Sequence, residues 1–250
     1  MTVTVNEEFE ENNNKNSWKR LWPIILIFII LAGIIIFDLD DFFSFEMLKN
    51  NREIVLTLYD QHRYLVVALL FIFYSLFVAL SVPGAVWLSL AAGFLMGTWA
   101  ATFLVVLAAT LGALGIFFIA RYALSDFFRQ KAGSFGLKMK SGFQKNELSY
   151  LLVLRLVPLF PFWLVNIAPA LLGVSVRTFI VGTFLGIIPG TAVFCSIGNG
   201  LGVYFDRGVK PDLNILFEPE IIGPLLGLAV LSLTPVIFEK LKKFSKDKKL

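Results

Sequence analysis

Apolar residues fall along this chain in long blocks separated by polar stretches, and a crossing helix needs about 20 such residues in a row. Four blocks qualify as full spans: 21–37, 98–120, 178–197 and 221–238. Two others, 64–97 and 149–173, are broken near the middle, by Ser81-Val82-Pro83-Gly84 and by Leu156-Val157-Pro158-Leu159-Phe160-Pro161. Proline removes a backbone donor and clashes with the preceding turn. Inside hydrocarbon such a break persists only where protein or a watery cavity satisfies the freed groups. Each broken block therefore predicts a re-entrant helical hairpin, with Pro83, Gly84, Pro158 and Pro161 at the breaks. Between them and the first span, Phe45, Leu48, Val55, Leu58 and Tyr59 recur at helical spacing among charges. This pattern fits an amphipathic surface helix and equally an ordinary connecting helix.

Composition agrees. Hydrophobic residues make up 57% of the 250 and charged residues 16%, with mean hydropathy +0.78. A soluble domain carries about 25% charged residues, so lipid is the expected solvent and the fold class is all-α, a polytopic membrane protein. Residues 1–20 read as a polar, disordered cytoplasmic tail, 21–238 as the membrane domain and 239–250 as a basic cytoplasmic tail. The block 21–37 has no small-x-small cleavage site and reads as a retained anchor. The one cysteine, Cys195, sits among apolar residues and reads as a packed thiol.

Charge sets the topology. Lys and Arg collect in cytoplasmic loops. They concentrate before residue 21, in 121–148 and after 239, whereas 38–63 and 199–220 are net acidic. All three basic segments lie inside only if both broken blocks are re-entrant, the first from outside and the second from the cytoplasm. Both termini are then cytoplasmic, in a plasma membrane by default.

The two broken blocks also match each other at a shift of 76 residues. Trp87-Leu88 pairs with Trp163-Leu164, Gly97 with Gly173, and Thr102-Phe103 with Thr178-Phe179. Repeat 1 is 64–122 and repeat 2 is 149–198. Their opposite orientation makes them an inverted repeat, a plan common among transporters. Gly182, Gly186 and Gly190, continued by Gly198 and Gly202, read as a helix-packing strip.

Ionisable residues inside lipid are expensive and mark functional sites. Arg155 lies roughly 12 Å of helix into the second hairpin, at 1.5 Å per residue, just before its break. Its five donors suit a phosphate; the plainer reading is a side chain that snorkels to the headgroups. Asn166 follows on the returning arm. Arg121 ends the span 98–120, either as a phosphate partner of Arg155 or as a positive-inside anchor. No acidic residue occurs between Arg63 and Arg121, or between Glu147 and Asp206. Coupling to protons would fall to Asp60 or His62, at the lip of the first hairpin. No nucleophile triad, metal-ligand spacing or phosphate loop occurs, so neither an enzyme nor a metal or other cofactor is expected. Expected partners are membrane lipids; a homo-oligomer stays open, and nothing points to nucleic acid.

These motifs together resemble a known family. Val82-Pro83-Gly84, Ala92-Gly93-Phe94-Leu95-Met96-Gly97 and Phe118-Ile119-Ala120-Arg121-Tyr122 form the first half. Arg155-Leu156-Val157-Pro158-x-x-Pro161-Phe162 with Asn166, Leu172-Gly173-Val174 and Gly186-x-x-Pro189 form the second. Over about residues 60–205 the chain resembles the DedA / VTT-domain superfamily, also labelled SNARE-associated Golgi proteins. The resemblance implies two opposed re-entrant hairpins and lipid movement across the bilayer. Bacterial members are linked to recycling undecaprenyl phosphate and eukaryotic ones to phospholipid scrambling, with Arg121 and Arg155 as functional arginines. Unlike the DedA branch, this chain has no acidic residue in its first hairpin, which favours a scramblase-like mechanism over proton coupling.

The expected function is a transmembrane lipid translocator for a phospholipid or polyprenyl phosphate, with Arg155, Arg121 and Asn166 binding the lipid phosphate. The alternatives are a secondary transporter of an ion or small solute and a non-transporting membrane organiser.

Overall fold

The computed structural model describes residues 49–82, 84–131, 143, 146–157, 160–201, 205, 219–233 and 236. The tails 1–20 and 239–250, the block 21–37 and the break residues Pro83 and Pro158 lie outside the described residues, as do Phe45 and Leu48.

The described elements are all helical: α1 Arg52–Gln61, α2 Arg63–Ala79, α3 Ala85–Met96, α4 Thr98–Lys131, α5 Glu147–Leu156, α6 Phe162–Leu171, α7 Val176–Asn199 and α8 Pro219–Ser232. Two stretches are long and apolar enough to cross a membrane, Thr98–Leu124 of α4 and Val176–Asn199, which is α7. A third crossing arises if α1 and α2, bent by 113° at their junction, count as one span. Two of the four expected spans are thus present as long helices. The fourth, 221–238, overlaps α8, of which 14 residues form helix.

The span expected at 98–120 continues as helix to Lys131, into the segment read as a loop. No glycine or proline occurs between Gly115 and Gly133, so the chain has no local reason to stop at the edge of its apolar block. The end of hydrophobicity is a solvent boundary, and a helix stops only where a breaker or a cap intervenes.

The second arms of the broken blocks are short. α3 has 12 residues and α6 has 10, about 18 Å and 15 Å of helix, against a hydrocarbon core of about 30 Å. Each arm leads into the next long helix through a glycine in the left-handed region, Gly97 at φ 75° and Gly173 at φ 80°. These are the two glycines that coincide at the 76-residue shift. After Gly173 the chain enters α7 through Ser175, whose Oγ accepts the Thr178 N–H at 3.1 Å and caps the helix.

α4 and α7 pack together at the centre. Each first arm lies on its own long helix, α2 on α4 and α5 on α7; each second arm lies on the other's, α3 on α7 and α6 on α4. α3 also packs on α4, a contact without an α6–α7 counterpart, so the two halves match in part.

Small residues make the close approaches. A Cβ on Gly93 would collide with the Cys195 carbonyl oxygen, and one on Gly198 with that of Leu90, so α3 and α7 meet backbone to backbone. Gly112 does the same between α4 and α2. The glycine strip of α7 is split between neighbours. Gly182 and Gly186 face α5, Gly198 faces α3, and among the described residues a Cβ on Gly190 would meet nothing within 4 Å. Gly190 therefore packs on none of the described helices, which corrects the reading of one continuous strip.

Large apolar side chains point outward. Along α4, Trp99, Phe103, Leu107, Leu111, Phe118 and Tyr122 are exposed, while Ala101, Val105, Ala108, Ala113 and Phe117 are buried. Such an apolar outer face suits hydrocarbon rather than water. Trp87 packs against Leu90, Leu201 and Phe205, whereas Trp163 is exposed.

Candidate functional site

The break regions of the two interrupted blocks meet at a half-open cavity of about 320 Å³. The first block lines it with Tyr74, Ala85, Val86 and Ser89, and the second with Arg155, Val157, Phe160, Phe162 and Val165. α7 closes the wall with Gly186, Ile187, Gly190, Thr191 and Phe194. Phe160 and Phe162 are exposed. Gly190, with open space where a Cβ would stand, contributes volume here.

Arg155 sits in a cradle built by successive turns of α7. Its Nη2 donates to Thr183 Oγ1 at 2.9 Å. Its Cζ lies 5.5 Å from the centroid of the Phe179 ring, within cation–π range. Gly186 makes room for its stem, because a Cβ there would stand 2.5 Å from Arg155 Cβ. Its Nε is buried and has no hydrogen-bond partner. A guanidinium donor in this state represents unspent binding capacity, since a buried unsatisfied donor costs about 1–3 kcal/mol.

Arg121 is placed differently. Its Cζ stands 4.7 Å from the Phe117 ring centroid, and Phe117 packs on Phe179 with centroids 4.2 Å apart. The two arginines thus stand over a pair of packed phenylalanines, one from each long helix. Arg121 Nη2 donates to the Val174 carbonyl. On the other side of the same peptide group, the Ser175 N–H donates to Glu147 Oε2 at 3.0 Å. One peptide unit in the α6–α7 joint is therefore held by a cation from the C-terminal third of α4 and an anion from the start of α5. Arg121 is not among the residues that line the cavity.

Asn166 is fully buried, with neither side-chain amide atom partnered, and it also does not line the cavity. Asp60 and His62 are exposed at the α1–α2 bend. Gly84 begins α3 at φ 100°, and Pro161 occupies the N-cap of α6. Sequence reasoning passed over four hydroxyls, those of Tyr74, Ser89, Thr183 and Thr191. The available signal was weak. Hydroxyl residues are common in membrane helices, where they bond to the preceding turn, as Thr110 does to the Val106 carbonyl at 2.7 Å.

Long apolar helices that approach through small residues and expose large apolar side chains define a helical integral membrane protein. A family model for the VTT domain matches residues 82–200, the stretch from the first break to the end of α7. The chain belongs to the VTT-domain family. It is 31% identical over 201 residues to the Transmembrane protein 41 homolog of Dictyostelium discoideum, covering 79% of this chain and 58% of that one. It is 30% identical over 164 residues to human Transmembrane protein 41B, covering 64% and 54%. A homolog from Caenorhabditis elegans is 29% identical over 190 residues, covering 74% and 75%. The chain spans a little over half the length of the first two relatives. No solved structure matches it.

Proposed function

We propose that this protein moves phosphate-bearing lipids between the two leaflets by giving the headgroup a polar foothold inside the bilayer while the acyl chains stay in lipid. The observation that carries the reading is Arg155, a cation with an unpartnered Nε on a half-open cavity where two interrupted helices meet. About 320 Å³ stands at the low end of ligand-pocket volumes; it admits a headgroup and not two acyl chains. Buried cations in membrane segments face substrate paths, and Arg is suited to phosphate oxygens.

Two opposed re-entrant hairpins in an inverted repeat underlie this reading. Support comes from second arms of 12 and 10 residues, too short to cross, from the cross-packing of α3 on α7 and α6 on α4, and from Gly97 and Gly173 at equivalent turns. In the orientation we favour, the basic flanks place both termini in the cytoplasm and the Arg155 hairpin enters from that side. The membrane is the plasma membrane in this proposal. We assign the protein no enzymatic step: the lipid leaves chemically unchanged.

The test is transport of acyl-chain-labelled phospholipid and polyprenyl phosphate in proteoliposomes, wild type beside Arg155→Ala and Asn166→Leu. Transport by the wild type that is lost in Arg155→Ala supports the reading. A reconstituted wild type that moves neither lipid, with or without an ion gradient, overturns it. Loss in Asn166→Leu as well would add the Asn166 amide to the headgroup contacts.

A further inference from the structure

The wall of the cavity contributed by the first hairpin holds a hydroxyl relay that the transport reading leaves unused. Tyr74 Oη and Ser89 Oγ lie 3.1 Å apart, and Ser89 Oγ donates to the Ala85 carbonyl at 3.3 Å. Both residues line the cavity and both are nearly buried, at 6% and 4% exposure. Proton bookkeeping orients the relay. Ser89 has one hydroxyl proton, and the Ala85 carbonyl can only accept it. The arrangement that makes both contacts has Tyr74 donating to Ser89, the direction that the more acidic phenol favours and that chained polarisation strengthens. The phenol's single proton is thereby committed, and what Tyr74 offers a ligand is the lone pairs of its oxygen.

The opposite wall has the reverse character. Arg155 can only donate. Among the described residues no carboxylate lines the cavity, and the sequence has none between Arg63 and Arg121 or between Glu147 and Asp206. A cationic or hydroxylated headgroup terminus therefore finds no ion pair and must be met by hydroxyl oxygens.

Resting on the lipid-transport reading, we infer that Tyr74, with Ser89 behind it, is a specificity-determining acceptor selecting headgroups that carry an N–H or O–H donor beyond the phosphate. Primary and partly methylated ammonium headgroups and hydroxylated headgroups satisfy it. A quaternary ammonium has no proton to give and leaves the Tyr74 oxygen unpaired in a low-dielectric site. Sites built around a hydrogen bond reject analogues lacking the donor far more strongly than apolar pockets reject one methyl group.

The experiment uses phosphatidylcholine vesicles containing the full-length protein and a trace of acyl-chain-labelled reporter with an unmodified headgroup. The reporters are phosphatidylethanolamine, its mono- and dimethyl derivatives, and phosphatidylcholine. A charge-assisted hydrogen bond corresponds to roughly a tenfold rate ratio. The wild type should therefore move the three donor-bearing reporters at similar rates and phosphatidylcholine about tenfold more slowly, with the step at the last methylation. In Tyr74→Phe, which keeps the ring, that ratio should collapse toward unity, and Ser89→Ala should lower it partway. Equal wild-type rates for all four reporters overturn the inference. So does a smooth decline with each methyl, which reports size, or a ratio that survives Tyr74→Phe. Each of these outcomes leaves lipid transport standing. Rates no higher than in protein-free vesicles for every reporter overturn both together.

Discussion

Arg121 and Arg155 occupy nearly matching settings and have different fates. Each guanidinium lies over a buried phenylalanine, and those two rings pack on each other between α4 and α7. Arg121 spends its donors on the chain: it grips the Val174 carbonyl, while Glu147 holds the N–H on the other side of that peptide. Arg155 has one hydroxyl partner, keeps a buried Nε unpaired, and borders the cavity. A charge satisfied by backbone stabilises a joint. One left partly unsatisfied beside open volume is, in the proposed function, the donor that meets the headgroup, in keeping with the expense of charges inside a membrane. The difference teaches that identity and depth in the sequence do not assign a role to an arginine; what its remaining donors face does.

The comparison breaks most readily at the arginines themselves. Arg155→Gln should lower lipid transport in proteoliposomes by about 100-fold, the loss of a charge-assisted phosphate contact, with little fall in thermal unfolding midpoint in detergent. Arg121→Gln should act mainly on that midpoint. Were Arg121→Gln to abolish transport while leaving the midpoint in place, the two roles would have to be merged.

The next effect concerns the glycines beneath and beside Arg155. Gly186→Ala puts a Cβ against the Arg155 stem and should destabilise by about 1–3 kcal/mol through overpacking. Gly190→Ala points into open space and should stay within about 0.5 kcal/mol. Equal unfolding midpoints for the pair would show that the cradle is not as tight as described.

Thr183→Val removes the hydroxyl that orients Arg155 and should slow transport by about fivefold. Thr183→Ser should restore it, because the oxygen and not the methyl is what Arg155 uses. Recovery in neither variant would assign Thr183 to packing alone.

The smallest effect belongs to the clamp. Glu147→Gln should cost about 1 kcal/mol or less in unfolding free energy, the scale of one partly exposed charge-assisted bond. Combined with Arg121→Gln it should be non-additive by about 0.5 kcal/mol or more, since both side chains act on one peptide unit. Strict additivity in that double-mutant cycle would separate them.

Much of the fold was legible beforehand because its signals are local. Gly84 and Pro161 stand at the starts of α3 and α6, where breaks were expected, and Gly97 and Gly173, which coincide at one shift, both have positive φ. The long helices stand where apolar blocks of crossing length stood. The α4 extension to Lys131 was missed because a hydropathy boundary was read as a helix end. At the site, Arg155 was legible as a charge in an apolar run. Tyr74, Ser89 and Thr183 were not, because a hydroxyl inside a membrane helix is inexpensive on its own and acquires meaning only from what it faces.

The order of apolar, polar and helix-breaking residues alone determined that this chain is helical, lives in lipid and is interrupted twice, since those are consequences of backbone hydrogen bonding and transfer free energy along a single strand. Only the tertiary structure decided that both interruptions open onto one cavity, that Gly190 shapes that cavity while Gly186 packs, and that one arginine is consumed by a peptide while the other is left a donor to offer. Those outcomes depend on distances between residues far apart in the chain, which packing sets and no local pattern encodes.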